Sequence, residues 1–422
     1  MLAKVKSCAI YGLESFLADV EVDISKGLPG FDIVGLPDTA VKESRERVKA
    51  AVKNQEFYFP IKRITVNLAP ADIKKEGPHF DLPIALGILA ATEQLAENLF
   101  EGYIIAGELS LDGRVRPING VLSMAIEARQ NELRGIVIPW ENAEEAALID
   151  GIEVVGVKTL KEAVEFFKGN FKPHEIKLNP KEELETEDLD FAEVKGQETL
   201  KRCIEIAAAG HHNILMIGAP GSGKTMLARR IPSILTSMTF QESLEITKIY
   251  SIAGLLPSHT GLIKKRPFRA PHHSISAIGM IGGGRVPKPG EVTLAHNGVL
   301  FLDEFPEFSR ETLELLRQPL EEERVTISRI NATITYPAKF MLVAAMNPCP
   351  CGYYGDPYHE CSCSHNRISK YLSKLSGPLL DRIDLQVEAA PVKFSDFENT
   401  SSTDSATIKK RVEVARLIQL ER

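Results

Sequence analysis

Hydrophobic and polar positions divide the chain into two stretches of alternating strand-like and helix-like segments. In the first, Leu17 to Ile24 alternates apolar with polar residues and predicts a half-buried strand. Asp38 to Lys53 repeats its apolar residues at helical spacing, Ile64 to Leu68 reads as a strand, Leu82 to Leu95 as an apolar helix, and Tyr103 to Gly107 as a further strand. Residues 170–190 turn to Lys, Glu, Pro and Asp with few apolar positions, which predicts a solvated linker. Beyond it a helix is expected over Glu198 to Ala209, then short apolar strands at Ile214 to Ile217, Val299 to Leu302 and Phe340 to Met346. Val325 and Ile327, then Ile334 and Tyr336, alternate with polar residues around a turn near Arg329, Ile330 and Asn331, the pattern of a β-hairpin. Helical periodicity returns from Ile408 to Arg422. The expected class is α/β, with one domain over 1–169, the linker, a parallel-sheet domain over 191–392 and the start of a helical element over 393–422.

Between the strand Ile214–Ile217 and a helix beginning at Met226 lies Gly218-Ala219-Pro220-Gly221-Ser222-Gly223-Lys224-Thr225, which matches the phosphate-binding loop at every fixed position. Its backbone N–H groups and the helix N-terminus suit phosphate oxygens, Lys224 suits the β- and γ-phosphates, and the Thr225 hydroxyl suits Mg²⁺. The expected ligand is therefore a nucleotide with Mg²⁺. The apolar strand Val299–Leu302 ends in Asp303 and Glu304, which places two carboxylates at one sheet edge. Beside a phosphate loop, Asp303 is expected to hold Mg²⁺ through water and Glu304 to orient and deprotonate the attacking water.

Composition changes the picture little. The 422 residues are 44% hydrophobic with a formal charge of −7, so nothing global attracts nucleic acid, and any DNA contact must come from local basic elements. No segment holds the eighteen or so apolar residues of a membrane span, and Met1 to Ala9 lacks the apolar run of a signal peptide. A cytoplasmic protein with reduced cysteines is expected, with no membrane partner. Four of the six cysteines fall at Cys349, Cys351, Cys361 and Cys363, close enough in sequence to form one tetrahedral Zn²⁺ site, with His359 and His365 as alternative ligands. That zinc is expected to be structural, because the loop has little core of its own. Cys8 and Cys203 are isolated. His272 and His273 are adjacent, which is not the ligand spacing of a helix, and they read as loop residues.

Three resemblances refine these expectations. Ala106-Gly107-Glu108-Leu109-Ser110-Leu111-Asp112-Gly113-Arg114-Val115-Arg116-Pro117-Ile118-Asn119-Gly120, with Ile136 to Pro139 and Glu141-Asn142, resembles the proteolytic domain of Lon, whose fold is of the ribosomal S5 domain 2 type. Where Lon-like proteases carry a serine after Gly-Pro this chain has His79, and where they carry the lysine it has Val121 and Leu122. No serine–lysine dyad can form there, and a degenerate domain kept for assembly or binding is expected.

The second stretch is similar to AAA+ ATPases. Phe191 to Gln197 resembles their adenine-side box, Asn347 stands where they carry a polar sensor, and Leu379-Leu380-Asp381-Arg382-Ile383-Asp384 resembles the arginine-finger stretch of the magnesium-chelatase and MCM branch. That implies that the nucleotide is ATP and that Arg382 reaches a neighbouring subunit's nucleotide in a ring. Phe268 to Ser274, the run Gly279, Gly282, Gly283 and Gly284 with Arg285 and Lys288, and the hairpin with Arg329 mark the same branch, where such inserts face the pore and suit a phosphate backbone. The periodicity at the C-terminus stops without a cap or glycine, so the AAA+ helical lid, with its second sensor arginine, is expected to be largely absent from these 422 residues.

The combination resembles the YifB/ComM family of magnesium-chelatase-like ATPases. The resemblance implies a homo-oligomeric ring, a hexamer by analogy, that hydrolyses ATP while moving on single-stranded or branched DNA, as a branch-migration helicase does in recombination and natural transformation. Two rivals follow from the same residues: a chelatase-type subunit whose ATP hydrolysis remodels a partner protein, and an ATP-dependent protease, which His79 and Leu122 argue against.

Overall fold

A computed structural model describes residues 2–176, 189–257, 261–284, 287–329, 332–390 and 403–422. Two compact units emerge, one comprising residues 1–182 with 247–262 and the other 183–246 with 263–422.

The first unit is built on a mixed sheet in the order Leu2–Tyr11, Glu14–Ser25, Arg63–Ala69, Gly30–Val34. Its first two strands form one long antiparallel ladder from Leu2↔Asp23 to Tyr11↔Glu14, closed by Gly12 in the left-handed region. Alternation from Leu17 to Ser25 puts Ala18, Val20, Val22 and Ile24 into the core, as a one-sided sheet requires. The helix Thr39–Asn54 starts on Asp38, whose carboxylate accepts from the Val41 N–H (2.8 Å). The helix Asp81–Ala91 is buried at every residue: Leu82 to Ala91 carry no polar side chain, and the one charge, Asp81, is paired with Arg47 (2.6 Å). It ends four residues short of Leu95, because Glu93 turns into the left-handed region and the Thr92 hydroxyl donates back to the Ile88 carbonyl (2.9 Å). A second sheet pairs Tyr103–Ile105, Gly135–Pro139 and Glu153–Val157 in parallel.

The positions at which a Lon-like dyad would stand are occupied by core residues. His79 is 5% exposed, and its Nε2–H donates to the Cys8 carbonyl (2.9 Å). Leu122 is fully buried, and its N–H donates to the carboxylate of the buried Glu145 (2.8 Å), which also accepts from Asn142 (3.1 Å) and from the Ser251 hydroxyl. Burial pushes the His79 imidazole down to about 4, against the smaller opposing effects of the Cys8 carbonyl and the Asp38 charge. The unfolded chain therefore binds a proton near pH 6.5 that the folded unit refuses until about pH 4, so stability is complete above pH 6.5 and falls as pH drops through this window. By linkage the loss due to His79 reaches about 2 kcal/mol at pH 5. Urea unfolding of the first unit at pH 7.5 and pH 5 checks this: His79→Gln is expected to lose about 2 kcal/mol less than the parent across that interval.

The second unit is a five-stranded sheet in the order Phe268–Arg269, Val299–Leu302, Met341–Met346, Ile214–Gly218, Leu385–Ala389, parallel throughout. Val299–Leu302 and Met341–Met346 are buried at every position, as parallel strands covered on both faces must be. The helices Glu198–Gly210, Lys224–Ile234 and Ser405–Leu420 contribute Leu200, Ile204, Leu227, Ile231, Ile408 and Val412 to the same core. This arrangement is consistent with an AAA+ core. A separate two-stranded hairpin, Arg324–Arg329 with Ala332–Pro337, follows the register Val325↔Tyr336 and Ile327↔Ile334, all four side chains buried. Among the described residues, no helix is long and apolar enough to cross a membrane.

Candidate functional site

In a parallel sheet the carboxyl ends of the strands share one edge, and the registers Ile217↔Met346 and Leu302↔Ala344 bring Gly218, Asp303 and Asn347 to that edge. The phosphate loop leaves the strand at Gly218 and enters its helix at Lys224 through Gly223, whose φ of +86° other residues adopt only with strain. The buried Lys224 ammonium donates to the Gly218 (2.8 Å) and Ala219 (2.9 Å) carbonyls and to Ser222 Oγ (3.2 Å), which aims it across the loop. Burial lowers its pKa, with the Asp303 carboxylate opposing. Pro220 and Gly221 are exposed at the tip of the loop, and Met226, 40% exposed, lies on the first turn of the helix.

Thr225 Oγ1 donates to Asp303 Oδ2 at 2.7 Å. A hydroxyl and a carboxylate side by side at the start of a phosphate-binding helix are the hard oxygen donors that Mg²⁺ accepts, so these residues fit that ion. The second Asp303 oxygen accepts from the Glu304 N–H (2.9 Å). Glu304 itself is held at φ +51°, a left-handed conformation uncommon outside glycine and concentrated at functional sites. Its Oε2 lies 3.2 Å from His273 Nδ1. The sequence pattern passed over His273 as a loop residue. No periodic signal marked it: Phe268–Arg269 pairs in parallel with the acidic strand only in the folded sheet, which brings the residues just after it to the edge that carries Asp303 and Glu304.

Arg382 follows the short helix Gly377–Leu380, is 40% exposed, and pairs with Glu321 (2.9 Å). Its sequence neighbour Asp384 is engaged instead with the Asn213 N–H (2.7 Å). Arg285 lies outside the described residues, and of Arg329 only the strand position is described. Lys288 is exposed on a short ribbon in which Gly282–Gly283 pairs with Lys288–Pro289. Tyr336 of the hairpin donates to the Pro287 carbonyl (2.9 Å), so the ribbon and the hairpin are neighbours.

The sulfurs of Cys349, Cys351, Cys361 and Cys363 all lie within 4.8 Å of one another, with separations of 3.3, 3.5 and 3.7 Å among the first three. A tetrahedral ion with metal–sulfur bonds of about 2.3 Å spaces its sulfurs by roughly 3.8 Å, whereas a disulfide requires about 2.05 Å. All six cysteines are free thiols, so the cluster fits a metal and no disulfide. His359 is not among the grouped ligands; its ring packs on Tyr353 (4.8 Å between centroids) and its N–H donates to Asp356 (2.9 Å).

A phosphate loop, an acidic strand and a polar strand end at one edge of a five-stranded parallel sheet define a P-loop ATPase unit. Residues 190–397 match the family described as magnesium chelatase, subunit ChlI, and residues 20–142 match the family described as subunit ChlI of Mg-chelatase. The chain is similar to competence protein ComM of Haemophilus influenzae, 45% identical over 428 residues that cover all of this chain and 83% of ComM. It is equally similar to YifB of Escherichia coli, 45% identical over 425 residues with the same coverage. Lon protease 2 of Bacillus subtilis is 30% identical over 200 residues, 42% of this chain and 35% of the protease. The chain belongs to the YifB/ComM family of magnesium-chelatase-like ATPases and carries Lon-like similarity.

Proposed function

We propose that this chain is the subunit of a ring-forming ATPase that translocates on DNA, a ComM-like branch-migration helicase of recombination and natural transformation. Similarity over the whole chain to a protein named for competence carries this reading. The ribbon bearing Lys288, adjacent to the hairpin, supports it, since these are the elements that suit a phosphate backbone. In this reading the first unit is a Lon-like domain kept for assembly, and the second is an AAA+ core.

The chemistry follows from positions at the sheet edge. Lys224 neutralises the β- and γ-phosphates, and the loop N–H groups fix them. Thr225 and Asp303 hold Mg²⁺, which when bound screens the charge developing on the γ-phosphoryl group. Glu304 takes the proton of the attacking water, and Asn347 at the end of the central strand orients that water. Arg382 supplies a cation to the neighbouring subunit's site. A structural zinc ion sits in the four-cysteine cluster.

The deciding measurement is the ATPase rate with and without single-stranded or branched DNA. Severalfold stimulation is expected, weakening steeply as salt rises from about 50 to 200 mM, because the contacts are to phosphates. A rate indifferent to every nucleic acid replaces this reading with the chelatase-type alternative, ATP hydrolysis that remodels a partner protein.

A further inference from the structure

Gly352, one residue beyond the second cysteine, lies directly on the phosphate loop. A Cβ placed there would come within 2.6 Å of Pro220, and Gly352 has φ +89°, so only glycine permits this approach. The residues that follow belong to a cavity of about 580 Å³. Tyr354 and Asp356 are among its lining residues, together with Gln197, Gly218, Ala219 and Ala389 from elsewhere in the unit. Gly218 and Ala219 open the phosphate loop, so the cavity adjoins the seat of phosphates resting on Gly221 to Thr225 and is open space into which a nucleoside can extend. The size suits a base and ribose, which need a few hundred Å³.

The wall formed by the cysteine loop has almost no core of its own. From Cys349 to Cys363 it contains no helix or strand, and Tyr354, Gly355, Pro357, Tyr358, His359 and Glu360 are exposed. Holding such a segment in one conformation costs about 1–2 kcal/mol per residue in backbone entropy. The internal restraints are local: Asp356 accepts from the Tyr358 (2.8 Å) and His359 (2.9 Å) N–H groups, the Gly352 and Asp356 N–H groups donate to the Cys349 (3.0 Å) and Tyr353 (3.1 Å) carbonyls, the His359 ring packs on Tyr353, and the four sulfurs converge. A metal cross-link at those sulfurs is the restraint of adequate strength.

We propose that a zinc ion bound by Cys349, Cys351, Cys361 and Cys363 sets the affinity for adenine nucleotide, by fixing the loop that walls the nucleoside half of the ATP site. The inference rests on the ATPase reading of the phosphate loop. It predicts that the metal acts on the nucleoside and leaves recognition of the phosphates alone.

The test uses the full chain, with zinc content measured alongside binding of a fluorescent ATP analogue and of competing inorganic tripolyphosphate. The parent is expected to carry one zinc per chain. The variant C361S/C363S is expected to lose the metal and bind the ATP analogue about tenfold or more weakly, with tripolyphosphate affinity unchanged. Tyr354→Ala, which leaves every sulfur in place, is expected to keep its zinc and still lose about three- to tenfold in ATP affinity, again with tripolyphosphate unchanged. A folded, metal-free C361S/C363S protein with the parent's ATP affinity overturns the proposal. So does a parent that takes up no zinc, or a Tyr354→Ala protein that binds ATP as the parent does. Should C361S/C363S fail to fold, the Tyr354→Ala result decides. A zinc-loaded parent that binds neither ATP nor tripolyphosphate removes the ATPase reading itself, and this inference with it.

Discussion

Glu304→Gln yields a protein that binds ATP and retains it, with turnover reduced by about 10²- to 10⁴-fold, the usual contribution of a positioned general base. The substitution keeps the size of the side chain and removes only its ability to accept a proton. Nothing that grips the phosphates is touched: Lys224 keeps its carbonyl partners, and Thr225 keeps Asp303. The residue is also poised rather than packed, since its backbone is left-handed and its carboxylate faces His273 across 3.2 Å. Lys224→Ala is expected to give the complementary defect, loss of nucleotide binding itself, because it removes the cation seated on the loop's own carbonyls. Filter retention of labelled ATP and single-turnover hydrolysis separate the two. Parent-rate hydrolysis by Glu304→Gln would remove Glu304 as the base.

What could be read from the amino-acid order was whatever depends on near neighbours. The phosphate loop is local: two glycines, a lysine and a hydroxyl at fixed spacing between a strand and a helix, so its place was legible, although the helix begins at Lys224, two residues before the expected Met226. The hairpin at Arg324–Pro337 was equally legible, because its buried side chains alternate on both arms. The four cysteines were legible as a group through their spacing, although only the folded loop separates the sulfurs from His359. Features that arise from strands distant in sequence were not legible. His273 reaches Glu304 only because a two-residue strand pairs with the acidic strand, a contact too short to leave a periodic signal. Gly352 against Pro220 joins positions more than a hundred residues apart, and no pattern in either segment records it. Residues 247–262 likewise belong with the first unit through contacts such as the Ser251 hydroxyl to Glu145, which a linear reading of domains passes over.

The second large effect concerns Arg382, and its test distinguishes action within a subunit from action between subunits. Within one chain the guanidinium is paired with Glu321 at the surface, both side chains well exposed. An ion pair of that kind contributes about 0–1 kcal/mol, so a neighbour's γ-phosphate can draw Arg382 away at little cost. Loss of an arginine finger lowers turnover by about 10³- to 10⁵-fold, so Arg382→Ala is expected to be nearly inactive while still binding ATP. Glu304→Gln is inactive for a different reason, and its Arg382 is intact. If the finger acts on the next subunit, mixing the two inactive proteins creates interfaces with the Arg382→Ala subunit's base on one side and the Glu304→Gln subunit's arginine on the other. Random assembly of an equal mixture places such pairs at about a quarter of the interfaces of a cyclic ring, so activity should return to a comparable fraction of the parent's. If Arg382 serves its own subunit, or only steadies Glu321, no combination of the two rebuilds a complete site. A mixture as inactive as its components, in a preparation shown by light scattering to assemble, would therefore refute the finger in trans.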